Sequence, residues 1–492
     1  MFKNFQGFHF IESYHQKRTR KRFKLNGYIK AAIAAVISLV IACLPTEWFG
    51  IPGLDPVQQR VIAIFVFAAV MWLSEAIPSW STSVLIMVVM LLTISDKPLG
   101  FLAGVEGAHY VSYKSIMHCF ADPTIMLFIG GFILAIGMTK TGLDVVLAKY
   151  LLKPFGTKPA MVLLGFILVT ALFSAFVSNT ATAAMMLAFL APVLRQLPDG
   201  SADRTSLALA IPIGANIGGI ATPIGTPPNT IVLGYLNETM GHNIGFGEWM
   251  LKMIPFVLIL LALSWLLLRT LFRFESKEVR LEIESADHSR RELWIVAVTF
   301  IITITLWCIP SSVGLGLNSY IISLIPFAVF AVAGIVKKRD LEEINWSVLW
   351  MVAGGFALGL ALNSTGLASV LVEAIPFAQW SPLVVMIISG LVCYGFSNFI
   401  SHSAAASLLT PVLGVVAGAM QSAGTLQTAG VVTMLIGVAI AASVSMILPI
   451  STPPNAIAAS TGFIQQKDMM KVGIIIGVAG LVIGYLWLFL VF

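Results

Sequence analysis

The sequence predicts an all-α polytopic membrane protein. It is read as an inverted repeat of about 11 transmembrane helices, with two re-entrant hairpins and two broken helices. Three observations carry this: the composition, three long charge-free stretches, and a set of duplicated motifs. Of 492 residues, 58% are hydrophobic and only 11% charged, and the mean hydropathy is +0.93. Soluble domains carry about 25% charged residues, so a water-soluble enzyme is excluded. The net charge of +6 is partly local, because His15–Lys24 is densely basic and precedes the first apolar run. That segment reads as a cytoplasmic topology signal of a bacterial-type inner membrane protein, not as a nucleic-acid patch. No cleavable signal peptide is expected, since the start is polar and the apolar run opens only near Tyr28. Cys43, Cys119, Cys308 and Cys393 are scattered singly, with neither metal-site nor disulfide spacing.

Apolar runs predict spans over Tyr28–Leu44, Val61–Leu73, Val84–Ile94, Ile125–Met138, Met250–Leu268, Leu293–Ile309, Leu317–Val336, Trp346–Leu362 and Val472–Phe492. Pro159–Leu194, Thr205–Asn237 and Ala374–Gln466 are free of charge but too long for single straight helices, and each holds polar residues, Gly or Pro near its middle. Such stretches predict hairpins or broken helices facing protein or a water-filled cavity. The hydrophilic linker Arg269–Glu292 divides the chain, giving a basic N-terminal segment (1–27), a first half (28–268), the linker (269–292) and a second half (293–492). The N-terminus, the linker and the basic cluster Lys337-Lys338-Arg339 are all expected on the cytoplasmic side.

The halves resemble each other. Gly130-Gly131-Phe132 recurs as Gly354-Gly355-Phe356, and Thr141-Gly142-Leu143 as Thr365-Gly366-Leu367, both 224 positions apart. Ser178-Asn179 recurs as Ser397-Asn398 after 219 positions, and Thr226-Pro227-Pro228-Asn229 as Thr452-Pro453-Pro454-Asn455 after 226. Repeated interrupted helices are the sequence pointer to a secondary transporter's binding site. In the first constellation, Ser174, Ser178, Asn179 and Thr180 lie between an apolar helix and a small-residue run. Ser and Asn cap helices well, so the run predicts helix, sharp turn, helix. A tip of this kind offers hydroxyl, amide and free N–H groups at a positive helix end, which bind anions without a formal charge. Its oxygens suit Na⁺ equally. In the second constellation, paired prolines break a helix and free the carbonyls of Gly225 and Ser451 as candidate cation ligands.

These motifs resemble the divalent anion:sodium symporter family, the INDY-like di- and tricarboxylate carriers. Glu75-Ala76-Ile77-Pro78 also resembles its pattern, and the similarity spans Val61–Phe492. The resemblance implies an elevator-type homodimer with a scaffold domain and a mobile transport domain. It implies a first sodium site at Ser174, Ser178, Asn179 and the Gly225 carbonyl. A second is implied at Cys393, Asn398 and the Ser451 carbonyl. Substrate contacts are implied at Ser178, Asn179, Thr180, Pro227, Ser397, Asn398, Phe399, Thr452 and Pro453. The second tip departs from the family, with Phe399 where Thr is usual and Cys393 where a hydroxyl is usual; thiols suit softer metals than Na⁺. His402, four residues after Asn398, is an ionisable group inside an apolar stretch and a candidate charge substitute for a missing cation.

The expected function is Na⁺-coupled uptake of a small dicarboxylate such as succinate. The alternatives are a sodium-independent dicarboxylate exchanger and, from another class, a cation/proton antiporter or anion channel. An antiporter should place carboxylates at its broken helices, and the charge-free runs hold none. No HExxH, nucleophile elbow or P-loop suggests an enzyme.

Overall fold

The computed structural model describes residues 25–198, 200–279, 289–309, 318–374 and 379–491. The basic segment His15–Lys24 and Arg280 of the linker lie outside them. The described residues are helical throughout, apart from connecting turns and one isolated bridge between Ser95 and Val111. The helices are α1 (Leu25–Cys43), α2 (Pro56–Ser74), α3 (Ser79–Thr93), α4 (Tyr113–His118), α5 (Pro123–Thr141), α6 (Leu143–Leu152), α7 (Pro159–Ser174), α8 (Asn179–Gln196), α9 (Ala202–Gly218) and α10 (Pro227–Gly234). They continue as α11 (Phe246–Leu271), α12 (Arg290–Cys308), α13 (Ser319–Val332), α14 (Trp346–Ser364), α15 (Leu367–Ala374), α16 (Pro382–Phe399), α17 (His402–Ser422), α18 (Thr428–Ser443), α19 (Pro453–Ser460) and α20 (Gln466–Val491). Among the described residues, eight stretches are long and apolar enough to cross a membrane unaided, and five shorter apolar helices accompany them. All four cysteines are free.

Local chemistry sets the boundaries. Asp55 caps α2 in a reciprocal box with Gln58, and Asp122 caps α5 ahead of Pro123. Proline also opens α7, α10, α16 and α19, where its missing N–H costs no helical bond. Gly142 turns out of α5 with φ +70°, a conformation that suits glycine.

The run α5–α11 matches α14–α20 element by element: a long helix, a short helix, a helical hairpin, a broken pair and a final long helix. Contacts show the second copy to be inverted. Lys140, in the last turn of α5, forms an ion pair with Asp340, shortly before α14 begins. The end of α5 and the start of α14 therefore share one face. On the other face, Gln58 at the start of α2 donates to the Thr365 carbonyl at the end of α14 (2.9 Å). The linker lies on the face where α9 begins, since the Glu275 and Ser276 amides both donate to the Asp203 carboxylate at 2.8 Å.

The repeat reaches further than the motifs indicate. Trp72 Nε1 donates to the Ser79 carbonyl between α2 and α3, and Trp307 Nε1 donates likewise to Ser319 between α12 and α13. These preceding helices pack crosswise, α3 on α14 and α13 on α5. Glycine allows both crossings. A Cβ at Gly354 would fall 2.5 Å from Ser83 Cβ, and one at Gly130 only 2.0 Å from the Ser323 carbonyl oxygen. Small residues let membrane helices approach closely; here Gly130 meets the Ser323 backbone and Gly354 the Ser83 side chain.

Gly130→Ala should therefore lower the melting temperature of the purified protein, by the equivalent of about 1–3 kcal/mol for an overpacked contact. Gly418→Ala on α17, where an added Cβ meets nothing within 4 Å, should leave it unchanged or raise it, as helix propensity favours alanine by up to ~1 kcal/mol.

Candidate functional site

The centre of the site is a pair of broken helices. Between α9 and α10, and again between α18 and α19, the chain leaves the helix just before a Thr-Pro-Pro-Asn segment. The helical ladder stops there, so the last carbonyls before the break are left without intrahelical partners. An asparagine in each copy takes them up. Asn229 Nδ2 donates to the carbonyls of Gly219 (3.1 Å), Ile220 (3.2 Å) and Thr222 (2.8 Å). Asn455 Nδ2 does the same for Met446 (2.8 Å) and Leu448 (3.2 Å). The breaks also touch: Asn216 Nδ2 on α9 donates to Asn455 Oδ1 (3.0 Å) and to Thr452 Oγ1 (3.2 Å). All four residues are buried.

Each hairpin rests its tip on a break. In the first, α7 ends at Ser174 and Ser178 is the N-cap of α8, its hydroxyl accepting from the Ala181 amide (3.3 Å). Asn179 is the first residue of α8. Ser174 Oγ lies 2.6 Å from Asn179 Oδ1 and 2.7 Å from the Ala215 carbonyl. One hydroxyl proton serves only one of these two acceptors. A Cβ at Gly219 would lie 2.7 Å from Asn179 Oδ1 and 3.1 Å from the Gly225 carbonyl oxygen, so the absence of a side chain there keeps these oxygens together. Close by, Asn229 Oδ1 is buried with no hydrogen-bond partner among the described residues. Ser174, Asn179 and Gly225 are thus gathered as the sequence anticipated, in an uncharged cluster of oxygens that suits a hard cation.

The second hairpin requires a correction. Ser397-Asn398-Phe399 is not the tip; it forms the last turn of α16. The N-cap of α17 is Ser401, whose hydroxyl accepts from the Ala404 amide (3.2 Å), and His402 is the first helical residue. Ser401-His402-Ser403 therefore stands where Ser178-Asn179-Thr180 stands in the first half. Matching on the letters Ser-Asn sets the register four residues early. Four residues are close to one helical turn, so both registers put a serine on the same face and the sequence pattern does not separate them. In the corrected register Ser397, fully buried, is the counterpart of Ser174, so the hydroxyl is retained and the asparagine is the group replaced.

The side chains of the other residues expected at a second cation site have partners of their own, while for Ser451 the expected ligand is the backbone carbonyl. Cys393 Sγ lies 3.6 Å from the Val438 carbonyl and 3.9 Å from Ser397 Oγ. Asn398 fastens the end of α16 to the break, accepting from the Ile447 amide (2.9 Å) and donating to the Tyr394 carbonyl (2.8 Å). Ser451 Oγ donates to the Leu448 carbonyl (2.7 Å). Phe399, implied as a substrate contact, is 68% exposed and stands outside the buried cluster. His402 Nε2 lies 2.7 Å from the Ser445 carbonyl.

The halves interlock through these parts. α8 packs on α19 of the other half, and α17 packs on α10. Four helix N-termini, at Ser178, Pro227, Ser401 and Pro453, consequently start beside tips and breaks in the middle of the fold. Ser178, Asn179, Thr180, Pro227, Ser401 and His402 are partly accessible and Pro453 is exposed, while Thr226, Thr452 and Ser397 are buried behind them. Asn216, Ser401, Ser403 and Ser445 were not singled out by sequence reasoning. The usable signal for the serines is a pair of cap-type residues ahead of the small run Ala404-Ala405-Ala406.

Comparison with known proteins agrees with this arrangement. A family model described as a citrate transporter matches residues 69–433. The sodium-dependent dicarboxylate transporter SdcS of Staphylococcus aureus, from strains RF122 and NCTC 8325, is 30% identical over 449 residues, covering 84% of this chain and 82% of SdcS. The chain belongs to the divalent anion:sodium symporter family. Among solved structures, the Alcanivorax borkumensis YdaH transporter aligns with a TM-score of 0.53 at 15% identity, over 88% of this chain and 98% of its own. That likeness concerns the fold of this symporter-family chain.

Removing the bracing amides should destabilise the centre of the molecule. Asn229→Ala is expected to lower the melting temperature by the equivalent of roughly 1–3 kcal/mol, the cost of buried groups left unpaired. Asn216→Ala and Asn455→Ala remove the same contact, so the double variant should cost less than the sum of the singles in a thermal-stability cycle.

Proposed function

We propose that the protein is a sodium-coupled symporter of small dicarboxylate dianions, with succinate as the test substrate. One observation carries the reading: four helix N-termini start in the middle of a membrane protein, with no Lys or Arg in the first turns of those helices. Each N-terminus is equivalent to about half a positive charge, so together they present about +2, opposite to the charge of a dianion. Hydroxyl and amide groups of Ser178, Asn179, Thr180, Ser401 and Ser403, with the Pro227 and Pro453 turns, then fix the two carboxylates. The relative's name, sodium-dependent dicarboxylate transporter, supports the substrate class and the coupling ion.

Sodium belongs with the oxygen cluster of the first half, held by Ser174, Asn179 and the Gly225 carbonyl, with Ser178 at the rim. Bound there, it fastens the first tip to the first break. The hairpins and broken helices form the moving unit of an elevator and the crosswise helices α3, α5, α13 and α14 belong to its support, in a homodimer of the inner membrane. The basic N-terminal segment supports a cytoplasmic location for that end. A sodium-independent exchanger would leave the first oxygen cluster without a purpose.

In proteoliposomes, succinate uptake should follow an inward Na⁺ gradient and fall to background in choline. Equal rates in the two media, with acceleration by internal succinate, would establish exchange instead. Asn179→Ala should abolish uptake while leaving the melting temperature near that of the parent. Ser174→Ala should raise the Na⁺ concentration for half-maximal uptake about tenfold, the equivalent of ~1.4 kcal/mol.

A further inference from the structure

The two halves match residue by residue in sequence at their breaks. Pro223-Ile224-Gly225-Thr226-Pro227-Pro228-Asn229 matches Pro449-Ile450-Ser451-Thr452-Pro453-Pro454-Asn455, so Gly219 corresponds to Ser445. The N-caps give an independent register, in which Asn179 corresponds to His402. Both registers meet in one contact. In the first half the Asn179 side chain faces Gly219; in the second the His402 ring faces Ser445.

The chemistry of the two contacts differs. A backbone carbonyl only accepts, so His402 Nε2, 2.7 Å from the Ser445 oxygen, is the protonated ring nitrogen and donates. Around the first contact, oxygens outnumber donors: Ser174 Oγ stands between two acceptors, the Gly225 carbonyl is adjacent, and Asn229 Oδ1 is unpartnered. Around the second, the position of the Asn179 amide oxygen is taken by an imidazole N–H, and nearby side-chain oxygens already receive protons. The Ser445 carbonyl accepts from His402, and Asn455 Oδ1, the counterpart of the orphaned Asn229 Oδ1, accepts from Asn216; Asn398 Oδ1, which has no first-half counterpart, accepts from the Ile447 amide. An imidazole also occupies space that a shorter amide leaves open.

We propose that the second half holds no sodium ion, because the His402 ring N–H occupies the place that the cation takes in the first half, so that each protomer binds a single Na⁺. The proposal rests on the sodium-coupled reading and specifies its stoichiometry. His402 acts on the break, as a built-in donor that ties α17 to Ser445 whether or not sodium is present. The second tip is therefore fastened permanently, and only the first is fastened by the ion.

The test counts bound ²²Na⁺ per protomer on the purified full-length protein, alongside the Na⁺ dependence of succinate uptake. The parent should bind one ion, with a Hill coefficient near 1, since cooperativity cannot exceed the number of sites. His402→Asn restores the first half's residue and should bind two, with sigmoidal Na⁺ dependence. His402→Gln keeps a donor of similar reach and should stay at one, and melting curves check that both variants fold. Two ions on the parent, or one ion on a folded His402→Asn protein, would overturn the proposal. No bound sodium on the parent would overturn it together with the symport reading, whereas two would leave symport intact.

Discussion

The constraint on which the rest depends is the satisfaction of backbone carbonyls at membrane depth. Water is absent from the hydrocarbon core, and each unpaired polar group there costs several kcal/mol. Two helices are nevertheless broken in the centre of this fold. Asn229 and Asn455 make that possible by spreading one amide over two or three released carbonyls. Threonine supports the first break as well, with Thr222 donating to the Ala175 carbonyl and Thr230 to Pro223. Once the breaks are stable, helix N-termini and spare oxygens become available in the interior without any charged side chain. The site is thus a by-product of how the breaks are braced.

Inversion of the repeat supplies the second condition. With the end of α5 and the start of α14 on one face, the hairpins enter from opposite faces and each tip meets a break near the middle. The crossings at Gly130 and Gly354 hold the preceding helices of each half against the opposite half, so neither half is complete alone. Symmetry of fold does not enforce symmetry of chemistry. Asn216 has no polar counterpart, since the corresponding residue of the second half is Ala442, and it satisfies the second break while the first keeps an orphaned oxygen.

Most of the architecture was legible because membrane helices announce themselves by apolar length, and because Pro-Pro and Gly-Gly are rare enough to mark a duplication. All nine expected spans correspond to helices of the structure, the first two interrupted stretches to helix pairs and the third, Ala374–Gln466, to four helices. The first oxygen cluster was legible too, since Ser174 and Asn179 are separated by little more than one turn. The second tip was not. Its cap, Ser401-His402-Ser403, shares only serine with the first, while a nearby Ser-Asn pair one turn earlier offers a better match of letters. Capping is a property of dihedral angles and of the Ala404 amide contact, neither of which is encoded in identity alone. The Trp72 and Trp307 correspondence escaped for a similar reason, because one tryptophan in each copy is no pattern until its N–H finds an equivalent carbonyl.

An uncharged site suits a carrier for reasons that go beyond affinity. A lysine or arginine at mid-depth costs about 2.5–3.5 kcal/mol on insertion scales, and its charge stays behind when the substrate leaves. The empty carrier would then have to return across the bilayer with that charge exposed. Helix N-termini avoid the problem, because their dipoles are neutral in sum and need no counter-ion when the site is vacant. A cation that arrives with the substrate and departs with it adds positive charge only while the dianion is present. Coupling then follows from electrostatics: the dianion binds poorly without sodium because dipoles alone must hold two carboxylates, and the first tip is unfastened. In this scheme the half with spare oxygens senses the ion, and the half closed by His402 supplies a fixed wall against which the substrate is held.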